Sequence, residues 1–156
     1  MKKIIVSVIL LAMAVSGIQS QTRNSIFAEL GGQGLLFTFN YDARFQKKEN
    51  GPGFRAGIGY MKMDETSVFT MPVSFNYLLG KNSKFLELGI GGTLANAEMF
   101  DSGTGMQIFG TMSFCYRYQP TDGGFSYRVG LSPIFGFQGG GFFFPYYGGA
   151  SVGYSF

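Results

Sequence analysis

The chain has 156 residues and a formal net charge of +3, with 13% charged residues, 17% aromatics, 25 Gly and no His. Soluble domains carry about a quarter charged residues, so this composition is unusually poor in charge. The basic residues are scattered and form no nucleic-acid face, and the lack of His removes both a Ser-His-acid triad and His-ligated metal sites.

Residues 1–20 have the layout of a secretory signal peptide. Met1-Lys2-Lys3 is the positive start, Ile4 to Val15 the apolar core, and Ser16-Gly17-Ile18-Gln19-Ser20 the cleavage region. Cleavage fits after Gly17 or Ser20; Ser20 is favoured, which makes 21–156 the mature domain. The core is short for a membrane anchor, and no Cys lies nearby to accept a lipid. Of the 12 Lys and Arg, removing Lys2 and Lys3 leaves 10 against 9 acidic residues, or +1.

From there the chain reads as strands, because apolar residues recur at period two. Ile26, Ala28 and Leu30 share even parity; after Gly31-Gly32-Gln33-Gly34 the apolar set Leu35, Phe37, Phe39, Tyr41, Ala43 and Phe45 is odd. A straight strand cannot change parity without turning its apolar side to the wrong face. The glycines therefore mark either a tight turn between two strands or a bulge in one. Gln46 to Pro52 is a turn by composition, and Phe54, Ala56, Ile58 and Tyr60 form the next apolar face. Phe69 to Tyr77 alternates again, with Pro72 inside it; a proline there gives up a ladder hydrogen bond and predicts a local bulge or irregularity. Leu86, Leu88, Ile90 and Leu94 follow, then a loop over 96–104.

The stretch Gly105 to Tyr118 alternates over its whole length. Met106, Ile108, Gly110, Met112, Phe114, Tyr116 and Tyr118 fall on one face, and Gln107, Phe109, Thr111, Ser113, Cys115 and Arg117 on the other, which is mostly small or polar. The single Cys115 excludes an intrachain disulfide and points inward as a buried thiol. Gln119 to Gly124 is a turn, Phe125 to Phe137 alternates, 138–145 is a glycine-rich loop, and Tyr147 to Phe156 closes the chain. No stretch after the leader reaches the roughly 18 apolar residues of a membrane helix. The fold class expected is all-β, an eight-stranded antiparallel up-and-down transmembrane β-barrel, with a soluble sandwich as the competitor. The strands are expected near 25–31, 35–46, 53–62, 67–78, 84–95, 105–119, 124–137 and 146–156; the even number usual in bacterial outer-membrane barrels favours the turn at Gly31–Gly34.

With both termini placed in the periplasm, Tyr41, Phe45, Tyr77, Tyr116, Tyr118, Tyr154 and Phe156 fall at one level of the outward face. That is where a membrane-interface aromatic girdle belongs. The segments Ala28-Glu29-Leu30-Gly31-Gly32, Asn40-Tyr41-Asp42-Ala43-Arg44-Phe45, Asn76-Tyr77-Leu78-Leu79-Gly80-Lys81 and Gly153-Tyr154-Ser155-Phe156 resemble small outer-membrane β-barrels of Bacteroidota-type bacteria. More distantly the chain is similar to OmpA- and OmpX-like eight-stranded barrels. This resemblance implies a Gram-negative outer membrane, outer-membrane lipids as surroundings, and the barrel-assembly machinery as a partner that reads Tyr154 and Phe156. Ser151 departs from the glycine usual in that terminal signal.

Inward parity collects Glu29, Asp42, Arg44, Arg55, Glu87, Arg117 and Arg128 in the lumen. An eight-stranded barrel is just wide enough for side chains to fill it, so these residues are expected to pair into an ion-pair network that blocks it; a gate or an anion site is the functional alternative. The outer half offers Gly57, Gly59, Gly89, Gly91, Thr93, Gln107, Thr111, Ser132 and Gly149. Small residues there suggest an outward-open pocket roofed by Phe142–Phe144, unless Phe27, Phe109 and Ile134 fill it; the glycines equally suit strong strand coiling. No catalytic, cofactor-binding or metal-ligating set emerges: Gly139-Gly140-Gly141 lacks the following Lys-Ser/Thr of a phosphate loop, and arginines flank Asp42 and Glu87. Three functions fit the sequence: a structural envelope barrel, a carrier of a small apolar ligand, and an accessory of an envelope machine with protein partners. No enzyme, cofactor or nucleic-acid partner is expected.

Overall fold

A computed structural model describes residues 24–46, 48, 50–63, 66–96, 106–137 and 141–156. The expected signal peptide and its cleavage region, most of the 96–104 loop, and 138–140 lie outside the described residues. The strands are β1 (Asn24–Gly31), β2 (Phe37–Arg44), β3 (Gly51–Met63), β4 (Thr66–Lys81), β5 (Lys84–Asn96), β6 (Met106–Tyr118), β7 (Gly124–Leu131), β8 (Ile134–Gly136), β9 (Phe142–Phe144) and β10 (Gly148–Ser155). Each neighbouring pair is antiparallel, and β10 returns to β1 in a register running from Ser25 opposite Ser155 to Gly31 opposite Gly149. That last pairing closes the wall and removes both sheet edges.

The wall has eight strands because β8 prolongs β7 along β6, and β9 precedes β10 in the final strand. Between β1 and β2 the chain makes one 3-10 turn at Gly32–Gly34. The parity change across these glycines is therefore a turn between two strands.

Two prolines interrupt the ladder without shifting it. Ala56 faces Val73 and Gly59 faces Thr70, so two residues on β3 oppose two on β4 around Pro72. The bulge among the readings at Pro72 is excluded; the proline simply leaves a gap in pairing on its β3 side. Pro133 does the same between β7 and β8, where its carbonyl accepts the Met112 N–H at 3.0 Å. A true bulge lies elsewhere: Pro145, Tyr146 and Tyr147 oppose only Ser132 and Pro133 between the β8–β9 and β7–β10 registers. This extra residue reverses the parity of β9 relative to β10, and it carries Phe142 to within 6.2 Å of the Phe109 ring, centroid to centroid.

The distribution of polarity is inverted relative to a soluble domain. Among the described residues, 8 buried side chains are hydrophobic and 22 are polar or charged. The outward positions carry Leu30, Phe39, Ile58, Phe75, Ile90, Phe114, Val129 and Val152, all exposed. Period-two alternation produces both faces at once: each strand gives one set of side chains to the lumen and the other to the surroundings.

Candidate functional site: the charged lumen

The seven inward charged residues come from six strands: Glu29 from β1, Asp42 and Arg44 from β2, Arg55 from β3, Glu87 from β5, Arg117 from β6 and Arg128 from β7. All are buried. They form one alternating chain. Arg44 meets Asp42 at 2.7 Å, and Asp42 meets Arg117 at 3.3 Å. Arg117 meets Glu87 at 3.0 Å, Glu87 meets Arg128 at 2.6 Å, and Arg128 meets Glu29 at 2.6 Å. Glu29 then pairs with Arg55. An arginine stands at each end, so the series carries one more positive than negative charge.

Neutral partners occupy the remaining capacity. Arg44 also bonds Asn76 and donates to the Gly51 carbonyl at 3.2 Å. Asn76 donates to the second Asp42 oxygen at 2.6 Å, and Ser25 Oγ accepts from Arg117 at 2.8 Å. At the other end, Arg55 donates to Asn40 Oδ1 at 3.0 and 3.1 Å and to Gln33 Oε1 at 3.1 Å. Every oxygen of Glu29, Asp42 and Glu87 thus accepts at least one hydrogen bond from a cation or amide. Each of these buried carboxylates is held by arginine or amide donors of the cluster itself.

Phe27 is the apolar member of the cluster. Its ring lies between two guanidinium groups, 4.9 Å from Arg55 and 4.5 Å from Arg128. Desolvated cation–π contacts contribute about 2 kcal/mol. Phe27→Leu, which keeps an apolar side chain and removes the ring face, is expected to lower stability by about that amount. The shift of the urea unfolding midpoint measures it.

The half of the lumen away from the termini does not hold the open pocket that was one of the two readings of its small residues. Phe109, Ile134 and Ala95 form a buried apolar cluster there, with Leu35 and Tyr147 packed against it. The 3-10 turn also enters this space. Gln33 is buried; its Oε1 accepts from Ser74 at 3.0 Å as well as from Arg55, and its backbone carbonyl accepts from Thr93. The Tyr147 hydroxyl donates to the Leu35 carbonyl and ties the turn to the wall. Phe142, Phe143 and Phe144 do not bury themselves as a roof: each is about half exposed, on the hairpin that β9 makes with β8. The small residues at Gly32 and Gly34 let the turn in rather than leave room for a ligand. A Cβ on Gly32 would sit 2.5 Å from Glu29 Oε1, and one on Gly34 would sit 2.4 Å from Thr38 Oγ1.

Tyr41, Phe45, Tyr77, Tyr116 and Tyr154 are exposed on the outward face, and Tyr118 and Phe156 are partly buried. Tyr118 stacks on Tyr127 at 5.3 Å, and Tyr41 and Tyr154 flank Ile26 from the two neighbouring strands. Sequence reasoning did not include Phe27, Gln33, Asn40 or Asn76 in the lumenal cluster. Asn40 and Asn76 share the inward parity of Asp42 and Ser74, a signal that was available. Gln33 lies in a turn, where parity has no meaning.

No protein-family model matches this sequence, and comparison with curated proteins finds no relative. Among solved structures, the crystal structure of the N-terminal β-barrel domain of Pseudomonas aeruginosa OprF is similar, with a TM-score of 0.61 at 15% sequence identity. The match covers 88% of this chain and 98% of that one. The shared architecture is a closed eight-stranded antiparallel barrel. At this identity the likeness concerns the fold alone.

Proposed function

We propose that this chain is an integral outer-membrane β-barrel of a Gram-negative bacterium, with a structural role in the envelope and a lumen closed by its own side chains. The observation that carries this reading is the inverted polarity: Leu30 and Ile90 are 64% and 61% exposed, while Arg55 and Glu87 are fully buried. Such an outward face is costly in water, where large apolar patches associate, and it is suited to hydrocarbon. The aromatic set Tyr41, Phe45, Tyr77, Tyr116, Tyr118, Tyr154 and Phe156 then lies at the periplasmic interface. Residues 1–20 direct export, Tyr154 and Phe156 present the terminal signal to the barrel-assembly machinery, and outer-membrane lipids surround the wall. The resemblance of the strand and turn segments to Bacteroidota-type small barrels agrees with this location.

The closed lumen follows from the alternating Arg–acid chain below and the Gln33 turn above. Two fillings in series leave no place for an apolar ligand, so the structural role is favoured over carriage. Reconstitution into a planar bilayer tests this. The purified protein is expected to insert without steady current steps; a stable open-channel conductance would contradict the closed lumen. A role as an accessory of an envelope machine has one observation in its favour, the exposed Phe137, Phe142–Phe144 and Tyr146 at the far end of the barrel. Crosslinking in the intact envelope tests it, and a specific crosslinked species through these positions is the supporting result.

A further inference from the structure

We propose that the Gly31–Leu36 turn is a retractable stopper: its release opens a hydroxyl-lined vestibule in the far half of the lumen while the wall stays closed. The inference rests on the closed-barrel reading above and adds the moving part. Three features of the turn carry it.

First, its seat is mainly polar. Gln33 holds the turn inside through Arg55, Ser74 and Thr93, and the turn's apolar anchorage comes from Leu35 against the Phe109–Ile134 cluster. Second, the seated conformation opposes itself. Gly31 and Gly32 have positive φ, and so does Leu35, at φ 70 and ψ −45, a backbone that a residue with a Cβ rarely adopts. Gln33 Nε2 is buried with no acceptor, and an unsatisfied buried donor favours release. Third, a polar lining is ready behind it. Thr38, Thr70, Thr93 and Thr111 are buried inward residues of β2, β4, β5 and β6, and the Thr70 and Thr111 hydroxyls have no hydrogen-bond partner. The floor of the opened space is the Arg55–Glu29 pair, where the charged series ends. Segments that move are drawn from regions with few apolar contacts; this turn has that character, whereas the strands around it are paired along most of their length, with gaps beside Pro72 and Pro133.

Gln33 is the point at which the seat can be tuned both ways. Gln33→Ala removes the bonds to Arg55 and Ser74. Gly34→Ala leaves those groups intact and crowds the Thr38 side chain instead. Gln33→Glu replaces the unsatisfied Nε2 by an oxygen, gives Arg55 a charged acceptor, and offsets the single excess positive charge of the lumen.

The test is thiol labelling from the far end of the barrel. Thr111→Cys in a Cys115→Ser background, reconstituted in lipid vesicles, is exposed to a small membrane-impermeant cationic thiosulfonate. With the native turn, labelling is expected to be slow. Gln33→Ala and Gly34→Ala are each expected to accelerate it at least tenfold, and Gln33→Glu to slow it about threefold. Folded-form gel mobility is recorded for every variant. Equal rates in all four proteins overturn the stopper. Acceleration that comes only with loss of folded-form mobility also overturns it, because the wall then opens with the turn. A parent protein that itself lacks folded-form mobility contradicts the barrel reading instead, which keeps the two failures separate.

Discussion

Glu87→Ala is expected to destabilise the folded barrel by about 3 kcal/mol, at the lower end of the 3–5 kcal/mol seen when one partner of a buried ion pair is removed. The reason is the position of Glu87 at the centre of the series. Its two oxygens each accept from a different arginine, Arg128 at 2.6 Å and Arg117 at 3.0 Å. Without it the lumen holds four arginines and two carboxylates. Arg117 keeps Asp42 and Ser25, and Arg128 keeps Glu29. The loss is therefore smaller than for a pair left wholly without a partner. Glu87→Gln, which retains acceptor shape without the charge, is expected to fall between wild type and Glu87→Ala. Combining Glu87→Ala with Arg128→Met restores the original excess of one positive charge. The double variant is then expected to be more stable than the sum of the two single losses, by the 0.5–3 kcal/mol typical of coupled neighbours. Urea unfolding in lipid vesicles, followed by tyrosine emission in a chain that has 9 Tyr and no Trp, reads the four variants, Arg128→Met included, against wild type. An unfolding midpoint for Glu87→Ala equal to that of wild type would contradict the network as a source of stability.

Ile90→Arg is expected to cost about 2–4 kcal/mol in a bilayer, the penalty for a guanidinium at the midplane of a barrel's lipid face. Ile90 lies in the middle of β5, is 61% exposed, and faces Phe75 on β4 and Met112 on β6. In water the same substitution would add a charge to a greasy surface and lower stability little. The contrast between lipid and water thus gives the variant its value. Lys84→Arg, at the exposed start of the same strand, serves as the control and is expected to be neutral. Unfolding of both in vesicles separates the cases: equal midpoints would place the outward face in a polar environment.

Much of this architecture was legible because a barrel of alternating strands encodes each residue's side in its parity. Glu29, Asp42, Arg44, Arg55, Glu87, Arg117 and Arg128 all carry the inward parity of their strands, and all are buried. Their pairing was not legible. Arg117 reaches Asp42 across the lumen between β6 and β2, 75 positions apart in sequence, and only closure and stagger of the wall bring those strands face to face. The Gly31–Gly34 turn could be placed but not aimed. Its inward fold depends on the backbone at Gly31, Gly32 and Leu35 and on the cramped fit beside Glu29 and Thr38, none of which a hydrophobic pattern records. For the same reason the glycines of the far half left a pocket and strand coiling both open, although part of the protein itself occupies that space. The prolines teach the converse. Pro72 and Pro133 mark missing ladder bonds, whereas the inserted residue lies at Pro145–Tyr147, where a proline and two tyrosines together absorb the change of parity.

The central claim is that this chain is a folded barrel resident in an outer membrane. Membrane fractionation combined with gel mobility before and after heating tests it most directly. The protein is expected to sediment with outer membranes, to resist carbonate extraction, and to run at a different mobility unheated than boiled, because the closed wall survives detergent until heat opens it. Recovery in the soluble fraction, or one identical band with and without heating, would contradict it.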